Sequence, residues 1–344
     1  GTLHWWWRSR TRPQRVACRQ LRHWLIDTSS DSKLEAVTSL FVHDSLLGHV
    51  PNPGFRTSGF GNSFHTIDSD GLRHCGETPA SNDGSILAVG DSFTYGDEVR
   101  DEEAWPAQLQ RISGRRVLNG GVTGYGFDQI VLRAEQLVGM HRPSVVIVGF
   151  IADDIRRTEM CRMWWRDKPW FAIEGGELVL KGVPVPHRAR LPLKIRHRID
   201  GVLVDSPPML QHLLGYHSRV HSAGQGLVIA QRLVERLARL RAKHPIKMIL
   251  MAQYPPVVWT HKAEFHKQRR VTEAMLNAAA AHGLAILDTF PRLAAEPKPR
   301  NFYGVTHMNV RGNAMIARLL AAVVPTLLVG PRSGTSSAPR RDLA

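Results

Sequence analysis

Short apolar runs, each closed by a glycine or a polar residue, alternate with longer amphipathic stretches over most of this chain. From residue 85 the alternation predicts a strand at 85–90, a helix near 103–112, a strand at 116–118, a helix near 126–138 and a strand at 144–150. After an interruption it resumes with a helix near 226–243, a strand at 246–252, a helix near 263–282, a strand at 284–288 and a last helix near 311–324. Strands that alternate with helices pair in parallel, because each return crossing runs through a helix. An uninterrupted apolar strand such as Ile86-Leu-Ala-Val89 is buried on both faces, so helices must cover both sides of the sheet. The fold class expected is α/β: a flavodoxin-like three-layer α/β/α sandwich around a mostly parallel five-stranded sheet.

The remaining segments break this rhythm. Residues 1–34 form a basic amino-terminal arm, and residues 35–84 a turn-rich lead-in with Gly, Pro, Asn and Ser at short intervals. The α/β domain spans 85–325 and carries an insertion at 156–224. That insertion holds Trp164, Trp165 and Trp170, a hairpin expected at Phe171 to Leu180 with its turn at Gly175-Gly176, and the stiff Pro184-Val-Pro186. Residues 326–344 form a tail, rich in Ser, Arg, Gly and Pro from Pro331, with the composition of disordered chain.

The first strand ends in Gly90-Asp-Ser-Phe-Thr-Tyr-Gly96, which places Ser92 where open α/β sheets bind their ligands, at a strand's carboxyl end. A nucleophile elbow needs glycine two residues before and two after its serine; Gly90 meets the first condition and Thr94 fails the second. Capping of a helix by Ser92 or Thr94 is the plain alternative. The string Gly90 to Gly96 resembles the first signature block of the SGNH, or GDSL, hydrolase superfamily. That resemblance implies the SGNH hydrolase fold, acyl-ester chemistry and Ser92 as nucleophile.

A serine hydroxyl is a poor nucleophile until a base takes its proton. The chain has 17 histidines, and context singles out His307, in Thr306-His-Met-Asn-Val-Arg-Gly-Asn313 just before the last helix. This segment resembles the superfamily's last block, which implies that His307 is the base. The resemblance assigns the oxyanion donors to the Ser92 amide and to the amide of Gly124, within Asn119-Gly-Gly-Val-Thr-Gly-Tyr-Gly126. Asn119, at the start of that segment, is a candidate helper. Gly149-Phe-Ile-Ala-Asp-Asp-Ile155 resembles the third block, whose asparagine side chain the resemblance implies as third oxyanion donor, but Asp153 stands at that position and could donate only if protonated. The acid expected three residues before the histidine is also missing, since that position is Gly304. Asp153, at the end of the third strand, is therefore the candidate to orient His307. A Ser-His dyad and an inert site are the alternatives.

Composition adds limits. The 344 residues carry a net charge of +15, with Arg8, Arg10, Arg12, Arg15, Arg19 and Arg22 in the arm and Arg188, Arg190, Lys194, Arg196 and Arg198 in the insertion. Neither cluster accompanies a nucleic-acid motif, so solvated basic surfaces are favoured over a polyanion site. Cys18, Cys75 and Cys161 lie far apart and signal neither a disulfide framework nor zinc, and His217 with His221 lacks a third metal ligand nearby. The proposed chemistry calls for no metal or organic cofactor. Met315 to Gly330, the most apolar stretch, is broken by Arg318 and Pro325, so no transmembrane segment is expected. No secretory h-region follows the arm, which makes the cytoplasm the default compartment; a chain that starts on glycine leaves an upstream segment, and export with it, open.

Asp44, Gly48, Pro51, Asn52, Gly71 and Arg73 in the lead-in, with Lys168-Pro169 and Pro184-Val-Pro186, resemble SGNH-like proteins associated with bacterial exopolysaccharides. The function expected is thus a serine-dependent ester hydrolase acting on a small-molecule or saccharide acyl ester. An O-acyltransferase acting on a polysaccharide is one competing function. A noncatalytic module stacking sugars on its tryptophans is another, and the sequence leaves oligomeric state open.

Overall fold

The strands that read as buried runs make one parallel sheet. The computed structural model describes residues 40–58, 64–79, 84–188, 199, 202–203 and 206–329. The basic arm, Cys18, the cluster from Arg190 to Arg198 and the tail beyond Val329 lie outside the described residues.

Before the sheet come two short hairpins, β1 (Phe41–Asp44) with β2 (Gly48–Pro51) and β3 (Arg56–Ser58) with β4 (Phe64–Thr66). The sheet strands in chain order are β5 (Ile86–Val89), β6 (Val117–Asn119), β7 (Val145–Phe150), β13 (Lys247–Ala252) and β14 (Ala285–Asp288). Their spatial order is β14-β13-β7-β5-β6, and every pairing is parallel. All side chains of β5 and β7 are buried, as two-sided cover requires. In this order the chain reverses its direction of travel across the sheet at β5 and β7, which opens a crevice at their carboxyl ends. Ser92 follows β5 directly.

Helices α1 (Ser92–Tyr95), α2 (Trp105–Ser113), α3 (Phe127–His141) and α4 (Ala152–Arg157) follow the first three sheet strands. Helix α6 (Gln225–Lys243) turns Ile229, Leu233, Val234, Leu237 and Leu240 inward, one apolar stripe at helical spacing. It packs between α3 and α7 (Lys262–Ala281), while α2 packs against the last helix, α9 (Val310–Val329). The short α8 (Phe290–Ala294) follows β14. The sandwich thus has the three layers expected.

Helix α9 continues through Pro325 to Val329, whereas the pattern predicted an end near 324 and a tail from 326. Proline removes one backbone donor, but Thr326 Oγ1 donates to the Val323 carbonyl at 2.7 Å and Val324 is buried, so the last turn persists. By length and composition this helix is apolar enough to cross a membrane. Its Ile316, Ala317 and Leu320 are fully buried in the core of this fold.

Between β7 and α6 lie β8 (Met160–Met163), β9 (Arg166–Asp167), β10 (Trp170–Glu174), β11 (Glu177–Lys181), α5 (Pro208–Leu213) and β12 (Ser218–Arg219). β10 and β11 pair antiparallel around Gly175 and Gly176, the hairpin expected. His217 and His221 flank β12 instead of sharing a helix face. His221 Nε2 meets the Phe171 carbonyl at 2.7 Å, and His217 stacks on Tyr216. Lys168, read from its resemblance, is buried with its ammonium on Asp128.

Candidate active site

The turn after β5 is held open for a serine by small residues and a cap. A Cβ on Gly90 would lie 2.8 Å from the Gly149 carbonyl oxygen of β7, so only glycine passes between the strands there. Asp91 caps α1 by accepting from the Phe93 amide at 2.9 Å, and Gly96 ends the helix in the left-handed region. Ser92 is the first helical residue, and an amide at that position has no acceptor within its own helix.

His307 reaches this serine from the far end of the chain. Its Nε2 lies 2.8 Å from Ser92 Oγ. The short loop that carries it is closed by a bond from the Gly304 amide to the His307 carbonyl and by a Tyr303–Met308 bridge. Asn309 caps α9 just beyond, accepting from Gly312 at 3.1 Å. The Phe93 ring packs 5.1 Å from the imidazole.

The carboxylate beside His307 Nδ1 is that of Glu98, with Oε1 at 3.2 Å. Asp153 does not occupy that place. Its two oxygens take Arg156 Nε at 2.7 Å and Arg157 Nε at 3.1 Å, because α4 turns residues three and four positions onward to the same face. Burial pulls the Asp153 pKa up, but the two guanidinium groups outweigh it and hold the carboxyl well below the usual range. An ionised carboxylate offers no donor to an oxyanion.

Asn119 is not aimed at the serine either. Its amide donates to the Tyr95 carbonyl at 3.3 Å and its oxygen accepts from Gly121 at 3.1 Å, so it ties the turn after β6 to α1. Gly124 lies in that turn with φ +81°, and a Cβ there would run into the Trp164 ring. Val122 donates to the Gly90 carbonyl at 2.9 Å, which fastens the same turn to the end of β5.

Residues 88–315 match the GDSL-like lipase/acylhydrolase family. The chain belongs to this family. No curated protein sequence matches it. Among solved structures, the acetylxylan esterase Axe2 from Geobacillus stearothermophilus is 14% identical, with 72% of this chain and 97% of that one covered at a TM-score of 0.45. The psychrotrophic esterase EstA from Pseudoalteromonas sp. is 12% identical, with 72% and 100% covered at a TM-score of 0.42. LAE5, an alpha/beta hydrolase from the metagenome of Lake Arreo, is 18% identical, with 70% and 95% covered at 0.44.

Several charged groups of this GDSL-family site are buried, Asp91, Asp97, Asp154 and Arg157 among them. Arg157 joins the three loops at the sheet edge: Nη1 donates to Asp154 at 2.7 Å and to the Tyr125 carbonyl at 2.9 Å, and lies 3.7 Å from Asp91. Burial raises the pKa values of Asp91 and Asp154 in spite of that cation. Asp97 is buried as well, which raises its carboxyl; it accepts from Thr123 Oγ1 at 2.5 Å and stands 3.9 Å from His307 Nε2. Sequence reasoning missed Glu98, Asp97 and Arg157. The acids following Gly96 and the bare position 304 were the available signals, but only the folded loops join them.

Removing Arg157 leaves Asp91, Asp153 and Asp154 without their shared cation, so Arg157→Ala is expected to cost about 3–5 kcal/mol of stability near neutral pH. A buried acid with a raised pKa binds protons in the fold that it gives up on unfolding, so stability falls as pH rises through that interval. The variant raises those values further. Urea unfolding of parent and variant between pH 5 and pH 8 should show a penalty that grows with pH.

Proposed function

We propose that this GDSL-family chain hydrolyses acyl esters with Ser92 as nucleophile and His307 as general base. The observation that carries the proposal is the 2.8 Å approach of His307 Nε2 to Ser92 Oγ. Ser92 Oγ attacks the ester carbonyl carbon while its proton passes to Nε2. The tetrahedral intermediate collapses as Nε2 returns that proton to the departing alcohol, which leaves an acyl-Ser92. Water then attacks the acyl carbon, giving its proton to Nε2, and the serine leaves with that proton as the acid is released.

The Ser92 amide at the start of α1 and the Gly124 amide in the turn after β6 are the donors for the developing oxyanion. Neither Asp153 nor Asn119 supplies a third. One donor is worth about 3–4 kcal/mol in such sites, so turnover through this pair is slower than three donors would allow.

Carbohydrate acyl esters, acetyl esters among them, are the substrate class the surroundings favour. Trp164 is half-buried, with its ring over Gly124 and the Arg157 guanidinium 5.8 Å from the ring centre. Trp164 and Trp165 fill the two-residue turn between β8 and β9, closed by the Met163–Arg166 pair, and a tight hairpin of this kind takes positive φ at both central residues, here 47° and 62°. An indole beside the oxyanion turn offers a sugar ring a flat apolar face. Each of the three tryptophans also meets a ring edge to face, Trp164 with His217 at 6.3 Å, Trp165 with Tyr216 and Trp170 with His221.

Ser92→Ala should lower p-nitrophenyl acetate turnover by about a thousandfold or more, and His307→Ala by a similar factor, because the pair acts as a unit. Turnover unchanged in Ser92→Ala contradicts the assignment. Trp164→Ala should raise KM for an acetylated oligosaccharide about fivefold, the loss of roughly 1 kcal/mol of stacking, and leave KM for p-nitrophenyl acetate within about twofold.

A further inference from the structure

The acid that orients the histidine is absent from its expected place at position 304, and the space it would fill is taken. A Cβ built on Gly304 would overlap Glu98 Oε2. The glutamate enters from the other side of the site, six residues after the serine, and occupies the volume that a side chain at 304 would need. We infer that Glu98 is the positioning residue for His307, the role having moved from the histidine loop to the segment behind the nucleophile, with Gly304 as the vacancy that admits it. This inference rests on the reading of Ser92 and His307 as nucleophile and base.

The contacts suit the role. Glu98 Oε1 accepts from the Thr306 amide at 2.8 Å, from Thr306 Oγ1 at 2.6 Å and from the His307 amide at 3.2 Å, and it faces Nδ1 at 3.2 Å. Glu98 Oε2 accepts from the Val305 amide at 2.7 Å. Thr306 Oγ1 also lies 3.0 Å from Nδ1, and since it gives its own proton to Glu98 it can only accept there. Two acceptors facing Nδ1 place the imidazole proton on that nitrogen, which leaves the Nε2 lone pair toward Ser92.

The glutamate is itself held. Arg73, buried and paired with Asp101 at 2.9 Å, donates to the carbonyls of Tyr95, Gly96 and Val99, and so fixes the backbone on both sides of Asp97-Glu98. Burial works to raise the Glu98 pKa, but the His307 and Thr306 hydrogen bonds and the imidazolium charge prevail and hold it down at about 2. Burial likewise works to lower the His307 pKa, and Glu98, Asp97 and Asp91, the carboxylates facing it, prevail and raise it. Glu98 is therefore ionised wherever the neutral histidine can act.

The sign of the pH effect follows. His307 must be neutral to accept the serine proton, so its raised pKa sets the acidic limb of the rate profile above the ordinary histidine value of 6.5. Glu98→Gln keeps the size of the side chain and removes the charge; it should lower kcat for p-nitrophenyl acetate about a thousandfold with KM within about threefold, and shift the acidic limb to lower pH. Glu98→Gly should lose as much. Adding Gly304→Asp to it, which returns the acid to the histidine loop, should restore at least about tenfold over Glu98→Gly.

Nitrogen-15 NMR of the parent protein provides a reading that needs no variant to fold: His307 should be protonated on Nδ1 when neutral and titrate above 6.5. Glu98→Gln activity within about threefold of the parent with an unmoved acidic limb, a double variant no better than Glu98→Gly, or a neutral His307 protonated on Nε2 overturns the inference. Ester turnover that survives Ser92→Ala removes the esterase reading instead. The His307 titration then still judges the Glu98 contact by itself.

Discussion

The site depends on one carboxylate that draws two distant parts of the chain together. Glu98 takes three backbone amides and a hydroxyl from residues 305–307, more than two hundred positions away, and only with that loop docked does His307 meet Ser92 at 2.8 Å. A carboxylate saturated with donors is a strong fixed point, since charge-assisted hydrogen bonds are about twice as strong as neutral ones. The same oxygens that anchor the loop face the imidazole. Loop position and histidine orientation are therefore set by one group, whereas an acid within the histidine loop could set only the second.

Electrostatics explains why the surroundings had to adapt. Asp91, Asp97 and Glu98 all lie near one histidine, and buried like charges are unfavourable unless something offsets them. Two cations do so from behind: Arg157 beside Asp91, Asp153 and Asp154, and Arg73 beside Asp101 and the carbonyls that flank Glu98. Asp153 belongs to this scaffold. Its ion pairs bind α4 and the turn carrying Tyr125 to the turn carrying Ser92 through Arg157, so this carboxyl supports the site's shape without donating to it.

The sheet and its helices were legible because their cause is local. A six-residue run as rich in β-branched side chains as Val145–Phe150 reads as a buried strand, and the stripe from Ile229 to Leu240 at helical spacing reads as the face a helix turns to a core. Ser92 was legible from its place at a strand end, and His307 from the turn and helix that follow it. Glu98 was not legible, because nothing within its own segment separates it from Asp97 or Glu102; its meaning comes from a loop brought alongside by α9. Asp153 was misassigned for a related reason. Its position at the end of β7 puts it near the site, but helical geometry turns its side chain toward Arg156 and Arg157, and spacing along a strand carries no information about that turn. Asn119 lies in the turn beside the serine, which makes it a candidate donor, but its amide is consumed by the Tyr95 carbonyl.

The central claim is that Ser92 is an activated nucleophile, and covalent trapping tests it most directly. The parent protein, treated with a fluorophosphonate at neutral pH and digested, should carry the phosphonyl group on the peptide containing Ser92, with the modified fraction rising with pH as His307 loses its proton. An unmodified Ser92, or a phosphonyl group attached at another residue, contradicts the account.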